Sequence, residues 1–376
     1  NNATVTHNGV TIVGNSYLAA TMPSDASKLY GKNILNFLQL VIDKEGKLNL
    51  NFEDDLVKGT CVVHNGEITN ERVKALRRAS SSMDVVNRIF SADLDRLKNV
   101  DWVIGDVNDI YSLEDAFENV DVVYHSAAFI SFRPSDREAM MKINVEGAAN
   151  MVNIALDKKV KRFCHISSVA ALGRIAGSEV VDENSVWKTS SENSNYAISK
   201  YGGEREVWRG IEEGLSAFII NPTIVIGPGD WYSGSAQMFS SVGKGLKFYT
   251  TGSTGFVDYR DVSKCAIELM NKGVAGKRFI VNADNLSYRF VFDAIAEQLK
   301  RPKATIRVTP FLAEIGWRLE SLRSFIMRDK TMITKETARN GNMNWKYKND
   351  RVKKEIGVEF IPIEEAVKHT AALYVK

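Results

Sequence analysis

The stretch that decides the fold runs from Arg162-Phe-Cys-His-Ile-Ser-Ser168 to Tyr196-Ala-Ile-Ser-Lys200. Its first segment is an apolar run that predicts a buried strand ending at two serines, and its second segment opens a predicted helix. Tyr196 and Lys200 are four residues apart and share one helix face, so we expect the ammonium to lower the pKa of the phenol. A serine hydroxyl from the neighbouring strand could hydrogen-bond to the same substrate oxygen, which favours proton transfer to a carbonyl or from an alcohol.

Alone, this Tyr and Lys spacing is more often that of a solvated helix face, but further motifs accompany it in a fixed order. They are Asp121-Val-Val-Tyr-His-Ser-Ala-Ala-Phe129, Ile143-Asn-Val-Glu-Gly147, Val169-Ala-Ala-Leu-Gly173 and Asn221-Pro-Thr-Ile-Val-Ile-Gly-Pro-Gly229. Together, residues 73–376 resemble the extended short-chain dehydrogenase/reductase family, within the NAD-dependent epimerase/dehydratase superfamily. The most similar members are the dihydroflavonol-reductase-like and 3β-hydroxysteroid-dehydrogenase-like proteins.

The resemblance implies an α/β fold, namely a Rossmann-like doubly wound parallel sheet with a smaller, mostly helical substrate lobe. We expect a domain over 71–376, whose core covers about 71–229 and 256–283 and whose substrate lobe covers about 230–255 and 284–376. In the return to the core we expect Asp261 to cap a helix that runs through Met270.

The same resemblance implies that Ser168, Tyr196 and Lys200 are catalytic. Ser168 is preferred over Ser167 because it stands five residues before Gly173. Asn144 is expected to hold the neighbouring backbone through side-chain hydrogen bonds. His125 could be mistaken for a catalytic base, and structural packing in the core is the preferred interpretation.

Cofactor contacts are implied at the ends of the predicted strands. The candidates are Arg77, Arg78, Asp106, Val107, Ser126, Ala127, Ala128, Ser167, Tyr196, Lys200, Asn221, Pro222 and Thr223. The turn after the strand at Val73 carries Arg77 and Arg78 and no carboxylate, which favours NADP(H) over NAD(H). The alternative is that the two arginines only solvate a strand end.

Residues 1–70 differ from the rest of the chain. They resemble the end of the soluble domain of the NAD(P) transhydrogenase alpha subunit, without the region of that family that binds NAD. A strand over 10–14, a helix over 25–42 and a hairpin over 59–68 around Asn65-Gly66 are predicted. No glycine-rich GxxGxxG turn precedes Val73, so the family's first strand and phosphate loop are expected to be missing unless residues 60–68 fill that place in the sheet.

Three functions remain open. The first is an NAD(P)-dependent oxidoreductase that transfers hydride between NADP(H) and a carbonyl or alcohol of a small, apolar substrate, with Tyr196 as general acid and base. The second is a nucleotide-sugar epimerase or dehydratase. The third is a catalytically crippled domain that no longer binds a dinucleotide, because the main pyrophosphate cradle is lost.

Composition narrows the class of protein. The chain has 376 residues and a formal net charge of +3, which gives no electrostatic case for nucleic acid or for an anionic membrane. Its three cysteines, Cys61, Cys164 and Cys265, show neither CxxC nor metal-ligand spacing, so no metal site and a reducing, cytoplasmic location are expected. We expect a small-molecule substrate as partner, and the resemblance implies a homodimer.

Overall fold

The computed structural model describes residues 100–173, 180–190, 193–309, 311–318 and 341–375, and shorter pieces before residue 100. Those pieces are 4–7, 10–13, 63–64, 67–68, 73–78, 83, 86–87, 90 and 97. The chain divides into two compact units, of which the first is 1–73 with 99–101 and the second is 74–98 with 102–376. Each unit is described by itself below.

The described portion of the first unit consists of short antiparallel strands. β1 (Thr4–His7) pairs with β2 (Val10–Val13), and β3 (Val63–His64) pairs with β4 (Glu67–Ile68). The predicted strand at 10–14 corresponds to β2, and the antiparallel pairing of β3 with β4 agrees with the predicted hairpin over 59–68. The helix predicted over 25–42 lies outside the described residues.

The second unit is built on strands that mostly run parallel. They are β5 (Val73–Arg77), β6 (Val100–Ile104), β7 (Val122–His125), β8 (Arg162–Ile166), β9 (Val180–Val181), β10 (Ala217–Pro222), β11 (Ile224–Ile226), β12 (Phe248–Tyr249), β13 (Ser253–Asp258), β14 (Lys277–Val281), β15 (Asp284–Ser287), β16 (Ile306–Arg307) and β17 (Lys346–Tyr347). The main sheet has the order β14-β10-β8-β7, and all its pairs are parallel. A second sheet has the order β11-β13-β15.

Helices cover both faces of the main sheet. They are α1 (Ile110–Ala116), α2 (Arg137–Met141), α3 (Gly147–Asp157), α4 (Asn195–Glu212), α5 (Gln237–Gly243), α6 (Tyr259–Asn271), α7 (Tyr288–Gln298), α8 (311–318), α9 (Asp350–Ile356) and α10 (Ile363–Val375). No helix of the described residues is long and apolar enough to cross a membrane.

The central strands are apolar without alternation because both faces of a parallel sheet are covered. Phe163 and Ile219 belong to a buried cluster with side chains of α1, α3 and α4. Their neighbours Cys164 and Ile220 point to the other face and pack with α6 and α9. This two-sided packing makes the fold the predicted Rossmann-like, doubly wound sheet.

The substrate lobe packs two helices against each other. Val291 and Ile295 of α7 share a buried cluster with Ala366 and Val367 of α10, and Phe239 of α5 joins them. The lobe is mostly helical, as predicted.

The prediction that Asp261 caps the helix after β13 is wrong. The cap of α6 is Asp258, whose side chain accepts a hydrogen bond from the backbone N–H of Arg260 at 2.7 Å. Asp261 lies in the first turn, and its carboxylate instead accepts the N–H of Ile361 at 2.9 Å. Asp261 therefore ties the start of α6 to the segment that leads into α10.

Strands β5 and β6 form a two-stranded sheet, whereas β7 is the end strand of the main sheet among the described residues. β3 and β4, the candidates to replace the family's first strand, form a two-stranded sheet of their own. On β7, Val122 and Tyr124 are 40% and 46% exposed. Within the described residues of the second unit, the family's first strand and its glycine-rich loop have no counterpart.

We expect Phe163→Ala to lower the free energy of unfolding by about 3–5 kcal/mol, because it empties a fully buried position beneath α3 and α4. Urea unfolding followed by far-UV circular dichroism measures the change. Tyr111→Ala is the control, since Tyr111 is 81% exposed. Equal losses in both variants would contradict the assignment of Phe163 to the core.

Candidate active site

The three predicted catalytic residues meet at the carboxyl end of β8. Ser168 follows that strand, and Tyr196 and Lys200 lie in the first two turns of α4. Helix α4 begins where the Ser194 hydroxyl accepts the N–H of Ala197 at 2.9 Å, which is an N-cap. The cap fixes the start of the helix, so that Lys200 is buried against the sheet.

A close helix contact holds α4 in place. A side-chain carbon at Gly203 would collide with the backbone oxygen of Asn144 on the adjacent helical segment. Asn144 lies in a π-helical turn, Lys142–Glu146, between α2 and α3. Such turns interrupt the regular helix and often occur at functional sites.

Asn144 connects α4 with the loop that follows β7. Its side-chain oxygen accepts the N–H of Phe129 at 2.7 Å, and its amide donates to the Phe129 carbonyl at 2.9 Å. The same amide donates to the Ser199 hydroxyl at 2.9 Å. The side-chain support of the neighbouring backbone that the resemblance implied is present.

The geometry favours Ser168 over Ser167 beside the tyrosine. Ser168 lies near enough to Tyr196 to act on the pKa of the phenol, and its hydroxyl accepts the N–H of Ala170 at 3.2 Å. The hydroxyl of Ser167 is buried and has no hydrogen-bond partner among the described residues. Ser168 is therefore placed to share an oxygen ligand with Tyr196.

The prediction that Lys200 lowers the pKa of Tyr196 is wrong for this structure. Burial raises the pKa of the phenol, and the nearby Ser168 side chain offsets some of that rise. Lys200 instead donates to the carbonyl of Ile166 at 3.0 Å. Burial also lowers the pKa of Lys200 to about 8, against the opposing effect of the Glu204 carboxylate.

The strand ends place several cofactor candidates at one edge of the sheet. Ser126–Ala128 follow β7 and are exposed, so their backbone is open to a ligand. Asn221 and Pro222 end β10, and Thr223 follows them. The Asn221 amide already donates to the Ser168 carbonyl at 2.9 Å, and the Thr223 hydroxyl donates to the Asn282 side chain at 3.1 Å. Their contacts with a cofactor stay predictions.

The candidates for the adenosine half lie at the ends of β5 and β6. Arg77 is half-buried and Arg78 is exposed. The Asp106 carboxylate accepts the N–H of Asn108 at 2.9 Å, within its own turn. Val107 is buried in the core. The contacts expected of these residues with a cofactor also stay predictions.

A buried polar layer beneath the site was missed at the level of sequence. Glu204 and Arg278 form an ion pair at 3.4 Å, and Glu204 also accepts a hydrogen bond from Asn221. The spacing of Tyr196, Lys200 and Glu204, four residues each, was the available signal, since all three share one helix face. His125 is packed in the core as predicted, with its ring centroid 5.1 Å from that of His165.

Doubly wound parallel sheets bind dinucleotides in the crevice outside the carboxyl ends of their strands, which is where Ser168, Tyr196 and Lys200 lie. Residues 64–282, more than half of the chain, match the family described as "NAD dependent epimerase/dehydratase family". The chain belongs to this NAD(P)-dependent family.

Relatives with known names cover most of the second unit. Sterol demethylase protein B of Methylococcus capsulatus is 28% identical over 247 residues, which are 65% of this chain and 72% of that protein. Anthocyanidin reductase of Arabidopsis thaliana is 28% identical over 253 residues, 57% of this chain and 74% of that protein.

Solved structures share the fold. The crystal structure of gox2253 is similar with a TM-score of 0.67 and 26% identity, covering 81% of this chain and 90% of that chain. DesIV, a dTDP-glucose 4,6-dehydratase from Streptomyces venezuelae, has a TM-score of 0.65 and 18% identity, covering 82% and 88%. At that identity the second likeness concerns the fold alone.

The amino-terminal segment matches another family. Residues 1–71 match "Alanine dehydrogenase/PNT, C-terminal domain". An NAD(P) transhydrogenase alpha subunit of Rhodospirillum rubrum is 43% identical over 67 residues, which are 18% of this chain and 17% of that protein. The recognition of two families in one chain is confirmed.

The described residues fit one half of a dinucleotide better than the other. The nicotinamide end has Tyr196, Lys200 and the buried, unpartnered hydroxyl of Ser167 at one edge of the sheet. For the pyrophosphate, the sequence ahead of Val73 contains no GxxGxxG motif. The site therefore fits the reacting end of the cofactor.

Gly203→Ala is expected to destabilise the protein by about 1–3 kcal/mol, because the added methyl group must push α4 away from the backbone of Asn144. Thermal unfolding measures the loss. Gly316→Ala is the matched helical control: no described atom lies within 4 Å of its added carbon, and a gain of up to about 1 kcal/mol is expected. A neutral Gly203→Ala would contradict the close contact.

The depressed pKa of Lys200 predicts a pH dependence of stability. The pKa of Lys200 is about 8 in the folded protein and 10.5 in an ordinary, exposed lysine. Between these pH values the unfolded chain binds more protons than the folded chain, so the free energy of unfolding rises with pH. Between pH 8 and pH 9.5, the free energy of unfolding of the wild type should rise by about 1.5 kcal/mol more than that of Lys200→Met. Urea unfolding at both pH values tests this, and an equal response of the two proteins would contradict it.

Proposed function

We propose that the chain is a reductase that transfers hydride between NADP(H) and a carbonyl or alcohol of a small, apolar substrate. The observation that carries the proposal is the convergence of Ser168, Tyr196 and Lys200 at the carboxyl edge of β8. The name of the Arabidopsis relative, anthocyanidin reductase, supports reductase chemistry.

The raised pKa of Tyr196 suits the reductive direction. A phenol that stays protonated at neutral pH can donate its proton to the carbonyl oxygen as negative charge develops there. When bound, NADPH would supply the hydride for the carbonyl carbon. Ser168 would donate a hydrogen bond to the same oxygen, and the charged Lys200 would hold the ribose of the nicotinamide. Proton donation of this kind contributes about 10²–10⁴-fold in rate.

The surroundings of Tyr196 support an apolar substrate. Phe132 stands edge-on to the Tyr196 ring, with 5.9 Å between the ring centroids, and is 37% exposed. Ile130, in the same loop, is also exposed. An exposed apolar side chain beside the phenol, with a second in the same loop, favours a hydrophobic carbonyl compound.

The arginines of the lobe support a reductase over an enzyme that acts on a nucleotide sugar. Arg289 stacks 4.4 Å from the Tyr249 ring centroid and lies 3.7 Å from the Asp293 carboxylate. Arg318 pairs with Glu314 at 2.6 Å. Cations already engaged in this way are less suited to bind a diphosphate.

NADP(H) is favoured over NAD(H) by the turn after β5. Arg77 ends β5 and the exposed Arg78 follows it; both suit the additional 2′-phosphate, and the adjoining sequence, Ala79-Ser-Ser-Ser82, carries no carboxylate for the ribose hydroxyl. We also propose a homodimer that meets through α3 and α4, a cytoplasmic location, and no nucleic-acid or membrane partner.

A second candidate is a domain that keeps the three residues and has lost its cofactor. The observation behind it is the sequence upstream of Val73, where no GxxGxxG occurs. Several charge-assisted hydrogen bonds of about 1.5–3 kcal/mol each would be lost with that loop, which weakens dinucleotide affinity by orders of magnitude.

A titration with NADPH and, in parallel, NADH, followed by nicotinamide fluorescence, separates the two candidates. We expect NADPH to bind more tightly, and Arg78→Glu to weaken NADPH more than NADH. Among carbonyl substrates, Tyr196→Phe should lower kcat about 10²–10⁴-fold without loss of NADPH binding.

Tyr201→Phe is the matched control for the tyrosine variant. The Tyr201 ring is on the same helix, but it stacks on Trp187 with 4.4 Å between centroids. The activity of Tyr201→Phe should equal that of the wild type. Absence of binding of either nucleotide up to millimolar concentration would instead favour the second candidate.

A further inference from the structure

A row of polar side chains is buried between α4 and the main sheet. Its members are Lys200, Glu204, Asn221, His125 and His165, each at most 3% exposed. They lie directly beneath the catalytic end of the helix. Burying charged groups is costly unless each is paired or hydrogen-bonded, so the arrangement of this row matters for the charge of Lys200.

Glu204 is held as a carboxylate from two sides. Its side chain accepts a hydrogen bond from the Asn221 amide and pairs with Arg278 at 3.4 Å. Arg278 is itself fixed, since it donates to the backbone carbonyls of Glu183 at 2.8 Å and Ser185 at 3.1 Å. Although it is buried, the Glu204 side chain is thus both hydrogen-bonded and ion-paired, as a buried charged group must be if its burial is not to be costly.

Glu204 faces Lys200 along the helix. Four residues separate them, so their side chains lie on the same face one turn apart. No ion pair within 4 Å joins them, and the Lys200 ammonium donates to the neutral carbonyl of Ile166. The carboxylate therefore acts on Lys200 through space, across a buried region in which charges are weakly screened.

The other titratable groups around Lys200 carry no negative charge. His125 of β7 has a pKa lowered to about 3 by burial and by Lys200, and the pKa of His165 of β8 is also lowered by burial. Tyr196, on the same helix, has a raised pKa. Among the described groups that face Lys200, Glu204 supplies the compensating charge.

We propose that Glu204 is a positioning residue of the active site, whose buried carboxylate, held by Asn221 and Arg278, keeps Lys200 in its ammonium form. It touches neither the substrate nor the cofactor. Burial alone favours the neutral amine, which would lose the charge needed to hold the ribose and to stabilise negative charge at the reacting oxygen. The role of Glu204 in turnover rests on the reductase function proposed above, whereas the charge of Lys200 does not.

The charge of Lys200 can be measured directly without a cofactor. In the full chain labelled with [13Cε]lysine, the Lys200 resonance is the one absent from Lys200→Arg, and its chemical shift is followed against pH. We expect a midpoint of about 8 in the wild type. In Glu204→Gln we expect it to fall by about one unit or more.

Glu206→Gln is the matched control. It removes a carboxylate from the same helix, but Glu206 pairs with Arg209 at 2.9 Å on a face turned away from Lys200. The Lys200 midpoint should not move. An unchanged midpoint in Glu204→Gln, or an equal fall in Glu206→Gln, would overturn the proposal.

Glu204→Asp distinguishes charge from packing. It keeps the carboxylate and shortens the side chain, so the Lys200 midpoint should stay closer to the wild-type value than in Glu204→Gln. Equal falls in both variants would mean that packing, not charge, sets the midpoint, and would overturn the proposal.

If Glu204→Gln does not fold, Glu204→Gln/Arg278→Met removes both charges together, an exchange that buried pairs often tolerate. A fall of the midpoint is still expected, because the lost Glu204 carboxylate lies one helical turn from Lys200 and raises its pKa. An unchanged midpoint would again overturn the proposal.

The outcomes are separate from those of the proposed function. A protein that binds no nucleotide can still show the shift in Glu204→Gln, which would support the role of Glu204 while contradicting the reductase. Where the reductase is active, Glu204→Gln should also move the pH profile of kcat/KM relative to Glu206→Gln. An active enzyme whose profile does not move would overturn the role of Glu204.

Discussion

The structure of the active site depends on how a single ammonium group is buried. Lys200 points from α4 into the interface with the main sheet, where an uncompensated charge would cost several kcal/mol. The neighbouring strands carry buried polar side chains near their carboxyl ends, such as Asn221 and His165. Nearer their amino ends, the buried side chains are apolar, as at Phe163 and Ile219. Helix α4 has two corresponding parts: its first turns carry the residues of the site, and Val207 in a later turn packs into the hydrophobic core.

Much of the architecture could be predicted from local patterns. Apolar runs such as Ala217–Pro222 indicated the central strands, and the position of the serine before Gly173 selected Ser168. Asp258 was missed as a cap because two aspartates three residues apart both fit a helix start, and a distant contact with Ile361 decided between them. Such a choice is made by tertiary structure, which the local pattern does not contain.

The electrostatics of the site were harder to predict from the sequence than the fold. The spacing of Tyr196 and Lys200 places them on one face, but it specifies neither the direction of the lysine side chain nor the extent of burial, and burial dominates the pKa of the phenol. Glu204 was overlooked because its partner Arg278 is 74 positions away in the chain. Charge networks of this kind emerge only when strands from distant regions of the sequence are aligned.

The parallel sheet also determines how the chain reaches its native state. Phe163 of β8 pairs with Ala217 of β10, and Phe218 pairs with Lys277 of β14, so each neighbour pair closes a long loop before any ladder hydrogen bond forms. Contacts between residues so distant in sequence slow folding. Until they form, the largely apolar strands β8 and β10 are exposed to other chains, a state that favours aggregation as the protein concentration rises.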